Sequence, residues 1–323
     1  MEPRTERTDG YRDGLVSVVI PTYGRNETLP RAIKSVIDQT YEEIELIVVD
    51  DGSPVPVTET LPELGLDRLS SVTFIRHNEN RGANVARNSG IRSATGEYIA
   101  FLDDDDQWCE TKISRQIDEF DGSDGAVGVV YTGVRSAGPS GTNVKIANAE
   151  GNVIRDLLTG ETFGQFSSVI VRHEAVDTVG LPDERFPAWQ DREWFFRLAQ
   201  EYHFKPVPEP LTIRETGRSD SITSNFKQKR DVAYPLFVEK HYLFAREYGW
   251  YYARTFLASL RRTIGHSAVM AGEYRQARKY FLLSFLANPF FRPVHLRLIA
   301  SLGGERTYKF ASSMWRKIYS LRS

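Results

Sequence analysis

"GEYIAFLDDDDQW" (residues 96–108) joins an apolar run to four consecutive aspartates. The run from Tyr98 to Leu102 has the length and composition of a strand buried on both faces. The aspartates that end it repel one another, so stability alone gives no reason for them. Two readings compete. One is a solvated acidic turn that caps a helix. The other is a set of carboxylates gathered for something cationic.

The flanking sequence repeats the pattern. "LVSVVIPTY" (15–23), "IELIVVDDGS" (44–53) and "VTFIRHNEN" (72–80) are further short apolar runs that end in polar residues. Between them, "NETLPRAIKSVIDQTY" and "GANVARNSGIRSA" (82–94) carry helical spacing, the first with Asn26 as its expected N-cap. Strands alternating with helices predict an α/β fold on a parallel sheet with right-handed crossovers. Ligands of such sheets bind beyond the carboxyl ends of the strands. The polar residues collect at those ends: Thr22 and Tyr23, Asp50 and Asp51, and Asp103 to Asp106. Two acidic strand ends on one edge favour the cation reading.

Farther along, "TKISRQIDEF" (111–120) reads as a helix, "AVGVVYTGV" (126–134) as a strand and 135–152 as a hairpin or mobile loop. "SSVIVRHEAVDTVG" (167–180) reads as a strand entering a helix, and "FPAWQDREWFFRLAQEY" (186–202) as an amphipathic helix. From Phe226 the pattern is helical throughout. The expected organisation is a disordered stretch over 1–14, an α/β domain over 15–225 and a basic helical region over 226–323.

Composition narrows the class. The one cysteine, Cys109, excludes a disulfide framework and any multi-cysteine metal site. The polar N-terminus carries no apolar leader, and no stretch reaches a membrane-spanning length. A cytoplasmic protein is the expectation. From Ala245 onward there are 14 Lys and Arg against three acids, a net of +11 in a chain whose total is −2. Aromatics, among them Tyr251, Tyr280, Phe281 and Phe290, interleave with Arg261, Arg262, Arg275, Arg278 and Lys279. This combination predicts contact with an anionic membrane surface on the cytosolic side. No nucleic-acid motif accompanies it, so no nucleic-acid partner is expected.

"VSVVIPTYGRNETLPRAIKSVIDQTYEEIELIVVDDGS", followed by "NRGANVARNSGIRSATGEYIAFLDDDDQW", resembles the family 2 glycosyltransferases of the GT-A fold. That fold is a mostly parallel sheet flanked by helices, here with an all-helical C-terminal extension. The resemblance implies an inverting, metal-dependent transfer of a sugar from a nucleoside-diphosphate donor, a UDP- or GDP-sugar, to a glycan or lipid-linked acceptor. Pro21, Thr22 and Tyr23 match the first strand end, where the aromatic ring packs on the base. Asp51 matches the residue that bonds the base. Gly82, Arg87 and Asn88 match the segment flanking the nucleotide. Asp103, Asp104 and Asp105 match the DXD motif, with Asp105 as the direct ligand of Mn²⁺ or Mg²⁺, Asp103 supporting it and Asp104 facing the ribose. Asp106 is expected as an N-cap. Asp191 in "WQDREWFFRL" matches the general base, with Gln190 where the family more often has Glu. Arg218, or Arg214, matches a loop residue near the diphosphate. Thr216 stands where many members have His, which puts a His metal ligand in doubt.

Two other readings stay open. A sugar nucleotidyltransferase uses a similar sheet, but "PTYGRNETLP" is a poor match to its glycine-rich loop. A non-catalytic nucleotide-sugar scaffold would not require the set Asp51, Asp103, Asp105 and Asp191. No G-x-G-x-x-G follows the first strand, which disfavours a dinucleotide dehydrogenase.

Overall fold

The computed structural model describes residues 10–61, 63–123, 125–138, 141–215, 226–291, 294–302, 304 and 308. The expected alternation opens the chain: β1 (Arg12–Thr22), α1 (Leu29–Ile37), β2 (Ile44–Asp50), a short α2 (Val57–Thr60), β3 (Ser71–Arg76), α3 (Ala83–Ser93) and β4 (Gly96–Phe101). β1 begins inside the stretch read as disordered, because the Arg12 N–H donates to the Thr95 carbonyl and pairs the strand early. α1 starts at Leu29 behind Thr28, so Asn26 is not its cap. Pro30 sits in its first turn, where a missing N–H costs nothing. Its Leu29, Ile33, Val36 and Ile37 bury against Val16, Val18 and Ile20 of β1 and Leu46 and Val48 of β2.

The chain continues through β5 (Asp106–Trp108), α4 (Lys112–Asp121), β6 (Val127–Gly138), β7 (Gly141–Lys145), α5 (Ile154–Thr159), β8 (Val169–Arg172), α6 (His173–Val179), α7 (Gln190–Glu201) and β9 (His203–Glu215). The stretch from 135 resolves as the β6–β7 hairpin. α7 begins at Gln190 rather than at Phe186, directly after Trp189, whose φ of 61° is a left-handed conformation outside the helical range. The sheet order is β3-β2-β1-β4-β8-β6-β9-β5, with β7 on β6. β1 to β4 are mutually parallel, as expected. Beyond them the sheet is mixed. β8 runs antiparallel to β4 and β6, and β5 antiparallel to β9, while β6 and β9 are parallel. All four residues of β8 are buried, and a strand covered on both faces reads alike in either direction.

Two glycines permit close approach. Gly90 of α3 lies on β1, where an added Cβ would stand 2.3 Å from a Val19 methyl. Gly52, at φ +77°, turns the chain after β2, and a Cβ there would meet the Glu79 main chain at 2.5 Å.

The chain divides into two compact units. The first comprises Met1–Ile154, Phe163–Arg185 and Gln190–Arg218, and the second Arg155–Thr162, Phe186–Trp189 and Ser219–Ser323. In the second, α8 (Phe226–Gln228) passes through a π-helical turn, Lys229–Ala233, into α9 (Tyr234–Glu247), followed by α10 (Trp250–Met270), α11 (Tyr274–Ala287) and α12 (His295–Leu302). Ile264, Ala268, Ala277, Phe281 and Val294 form its core. Phe281, expected in an interfacial row, is therefore a core residue. No helix among the described residues is long and apolar enough to cross a membrane.

Candidate active site

Parallel pairing carries the polar ends of β1, β2 and β4 to one edge. Thr22 stands opposite Asp50, the Asp51 N–H donates to the Thr22 carbonyl at 2.8 Å, and Val19 stands opposite Phe101, two residues before Asp103. The edge thus holds Pro21, Thr22 and Tyr23, Asp50 and Asp51, and the aspartate row. Tyr23 is 47% exposed there, an aromatic ring that nothing in the unit covers fully.

The two acidic ends differ. Asp50 and Asp51 are buried and engaged. Asp50 accepts from the Ser53 N–H at 2.8 Å and the Val57 N–H at 3.3 Å and pairs with Arg76. Burial pushes its pKa up, but these bonds outweigh it and hold it below the usual carboxylate value. Asp51 accepts from the Arg81 N–H at 3.0 and 3.1 Å and from the Gly82 N–H at 2.7 Å, and faces His77 Nδ1 at 2.7 Å. Both of its oxygens are committed to the turn that starts α3. Gly82, at φ 97°, is the N-cap of that helix.

The aspartate row is crowded instead. Burial, followed by the charges of Asp105 and Asp103, pushes Asp104 up to about 7, against the pull of the Thr22 hydroxyl and Arg25. Asp103 Oδ1 accepts from Arg87 Nη2 at 2.6 Å, and its N–H donates to Ser167 Oγ at 3.1 Å. Asp106 is not a helix cap. It opens β5 opposite Arg214, and its Oδ2 accepts from Gln165 Nε2 and Ser167 Oγ, each at 2.7 Å. Burial and Asp103 raise its pKa well above the ordinary value.

Arg87 joins this row to α7. Its guanidinium is buried and stacks over Phe166 at 4.1 Å, while Nη1 donates to Gln190 Oε1 at 3.1 Å. Gln190 thus serves as a neutral acceptor for a cation already paired with Asp103. Asp191 follows it in the first turn of α7. Burial raises the Asp191 pKa. The Arg192 N–H, at 2.7 Å, and the charges of Arg87 and Arg214 pull it down, and that of Asp103 raises it.

Asn88 Nδ2 donates to the Pro182 carbonyl at 3.0 Å and Glu184 Oε1 at 2.9 Å, and Asn84 Nδ2 to the Asp183 carbonyl at 2.8 Å. α3 therefore pins the segment that precedes α7. Arg218 and Thr216 lie outside the described residues. Sequence reasoning missed His77, Gln165, Ser167 and Glu184. Each acts on a partner remote in sequence, so no local spacing marked it.

Among the described residues, no group of three or more His, Cys, Asp or Glu is arranged to hold a metal by itself. Asp103 and Asp105 nonetheless suit a hard dication, because Mg²⁺ and Mn²⁺ take one or two carboxylates and complete their shells with substrate phosphates. The upward push of these charges on Asp104 marks a row short of positive charge, which fits the same group.

Residues 17–179 match the family described as Glycosyl transferase family 2. Over 103 residues, 32% of this chain and 40% of the relative, the sequence is 40% identical to the UDP-Glc:alpha-D-GlcNAc-diphosphoundecaprenol beta-1,3-glucosyltransferase WfaP of Escherichia coli. The fold resembles that of S. aureus TarS 1-349 in complex with UDP, with a TM-score of 0.55 at 14% identity over 90% of this chain and 92% of that one. It also resembles the mannosyltransferase PcManGT of Pyrobaculum calidifontis in complex with GDP-Man and Mn²⁺, with a TM-score of 0.51 at 19% identity over 89% and 85%. These likenesses establish the GT-A fold.

Proposed function

The chain belongs to glycosyl transferase family 2, and on that footing we propose that it moves a sugar, with inversion, from a UDP-sugar to a hydroxyl of a lipid-linked or glycan acceptor. The observation that carries this reading is the bridge through Arg87. One buried guanidinium holds Asp103 of the acidic row and Gln190, the neighbour of Asp191. Donor-phosphate chemistry and proton removal therefore share one cluster. The nucleotide and acceptor named for TarS and WfaP support the choice of UDP and of a lipid-linked hydroxyl.

Tyr23 stacks on the base, with Pro21 and Thr22 forming the floor beside it. Asp51 shapes the base pocket by holding the turn at Arg81 and Gly82, and Arg87 and Asn88 brace the wall behind the nucleotide. Asp104 faces the ribose. Asp103 and Asp105 would hold Mn²⁺ or Mg²⁺, which when bound neutralises charge on the departing diphosphate. Arg214, which stands opposite Asp106 in the sheet, adds positive charge near the same phosphates. Asp191 takes the proton from the acceptor hydroxyl. The oxygen then attacks the anomeric carbon from the side opposite the diphosphate, and the sugar–phosphate bond breaks with its electrons on the nucleotide. A carboxylate whose pKa is raised by burial is a better base near neutral pH than a free one.

Calorimetry with UDP tests the binding half. Binding that requires Mn²⁺, fails in EDTA and is lost in Asp105→Ala supports the reading. Absence of binding in every combination removes UDP, and absence with GDP as well removes the transferase site.

A further inference from the structure

We propose that the outer face of α11 is a docking surface for an anionic lipid bilayer. Successive turns of one helix face present Arg275, Lys279, Leu282 and Leu286, spaced four, three and four residues apart. All four are exposed. Leu282 is 46% exposed, Leu286 56%, and Phe290 just past the helix 79%. Arg278 lies beside this ridge, also exposed, with Nε on the Ser301 carbonyl at 3.3 Å. α12, held to α11 by that bond and by His295 against Phe285, adds Leu296 and Ile299, at 58% and 64% exposure.

This arrangement differs from the interfacial row expected from sequence. Phe281 is in the core, and Arg261 donates to the Tyr234 hydroxyl and the Leu283 carbonyl. What remains at the surface sorts along α11, cationic toward its start and apolar toward its end. Charge complementarity selects the occupant. Neither α11 nor α12 contains an acidic residue, and the chain from Ala245 carries a net of +11. Lipid phosphates satisfy the cationic turns, while Leu282, Leu286 and Phe290 enter the boundary of the acyl chains. Such docking brings the enzyme to the lipid-linked acceptor proposed above and takes its purpose from that reading.

The test is flotation of the full chain with phosphatidylcholine vesicles, with and without phosphatidylglycerol. The intact protein should prefer the anionic vesicles by at least about tenfold, at roughly fivefold per cation, and lose that preference in high salt. Arg275→Glu with Lys279→Glu should abolish the preference. Leu282→Glu, Leu286→Glu and Phe290→Glu together should weaken binding about tenfold or more even to anionic vesicles. Intact protein that does not float, or both variants floating like it, overturns the surface. So does self-association of the intact chain in sedimentation velocity that the leucine and phenylalanine changes abolish without any vesicle binding, since a second copy is then the occupant. UDP calorimetry on the same samples keeps the two proposals apart. Lost nucleotide binding with retained flotation removes the transferase reading alone, and the reverse removes the docking surface alone.

Discussion

Two acidic strand ends lie on one sheet edge, and they do opposite work. At the end of β2, Asp50 and Asp51 meet N–H donors and cationic or imidazole partners supplied by the protein. At the end of β4, Asp103 to Asp106 crowd together, and their mutual repulsion helps raise the pKa values of Asp104 and Asp106. The first end builds the frame. The second, on the function proposed above, offers its remaining charge to a metal and a diphosphate. A carboxylate is thus structural or chemical according to who answers its lone pairs, not according to where the strand delivers it.

Removing Asp105 should break the comparison most visibly. Asp105→Asn should lower the transfer rate by about 10²–10³-fold while its thermal melt stays where it was or rises. A variant that unfolds would make the second end structural as well. Asp51→Asn should do the reverse. The amide turns an N–H₂ toward the Arg81 or Gly82 N–H, at a cost of about 2–3 kcal/mol in urea unfolding. Unchanged stability with lost UDP binding would make Asp51 a direct ligand contact and erase the contrast.

The smallest effect is the pH response of Asp104. Its folded pKa, about 7, lies above the ordinary 3.8, so folding favours the protonated acid. That stabilisation is complete below the ordinary value and is lost as pH rises through about 7. In EDTA, the melting temperature should be higher near pH 5 than near pH 8, by roughly 5 °C. The Asp104→Asn variant should show a smaller difference. The same slope in both would assign the response to other groups.

Much of this was legible in the sequence because buried strands announce themselves as apolar runs and their polar ends share an edge. The four parallel strands and the aspartate row follow from that, whereas Asp191 was marked only by the family resemblance. What escaped depended on partners brought from afar. Asp106 looked like a cap because Gln165 and Ser167, which hold it, lie about sixty residues on. The start of α7 was misread because the apolar pattern runs smoothly through Trp189, while the backbone turns left-handed there. The direction of β8 left no trace, since burial on both faces erases it. Asp51 carried the right residue type for a ligand contact, and only its three donors show how fully it is engaged.

The sheet order also dictates when the acidic row can be aligned. β4 and β5 are neighbours in the chain but lie apart in the sheet, where, among the described residues, β5 pairs only with β9. The strand pairing of Asp106 therefore waits for Arg214, about a hundred residues later. On a ribosome, β1 to β4 can assemble while β9 is still unmade. Loop closure of that length is slow, and its entropy cost falls late in folding. A chain interrupted before β9 would hold β1 to β4 yet leave β5, which Asp106 opens, without its partner strand. The strands that carry the first acidic end can thus pair before the strand that borders the second exists.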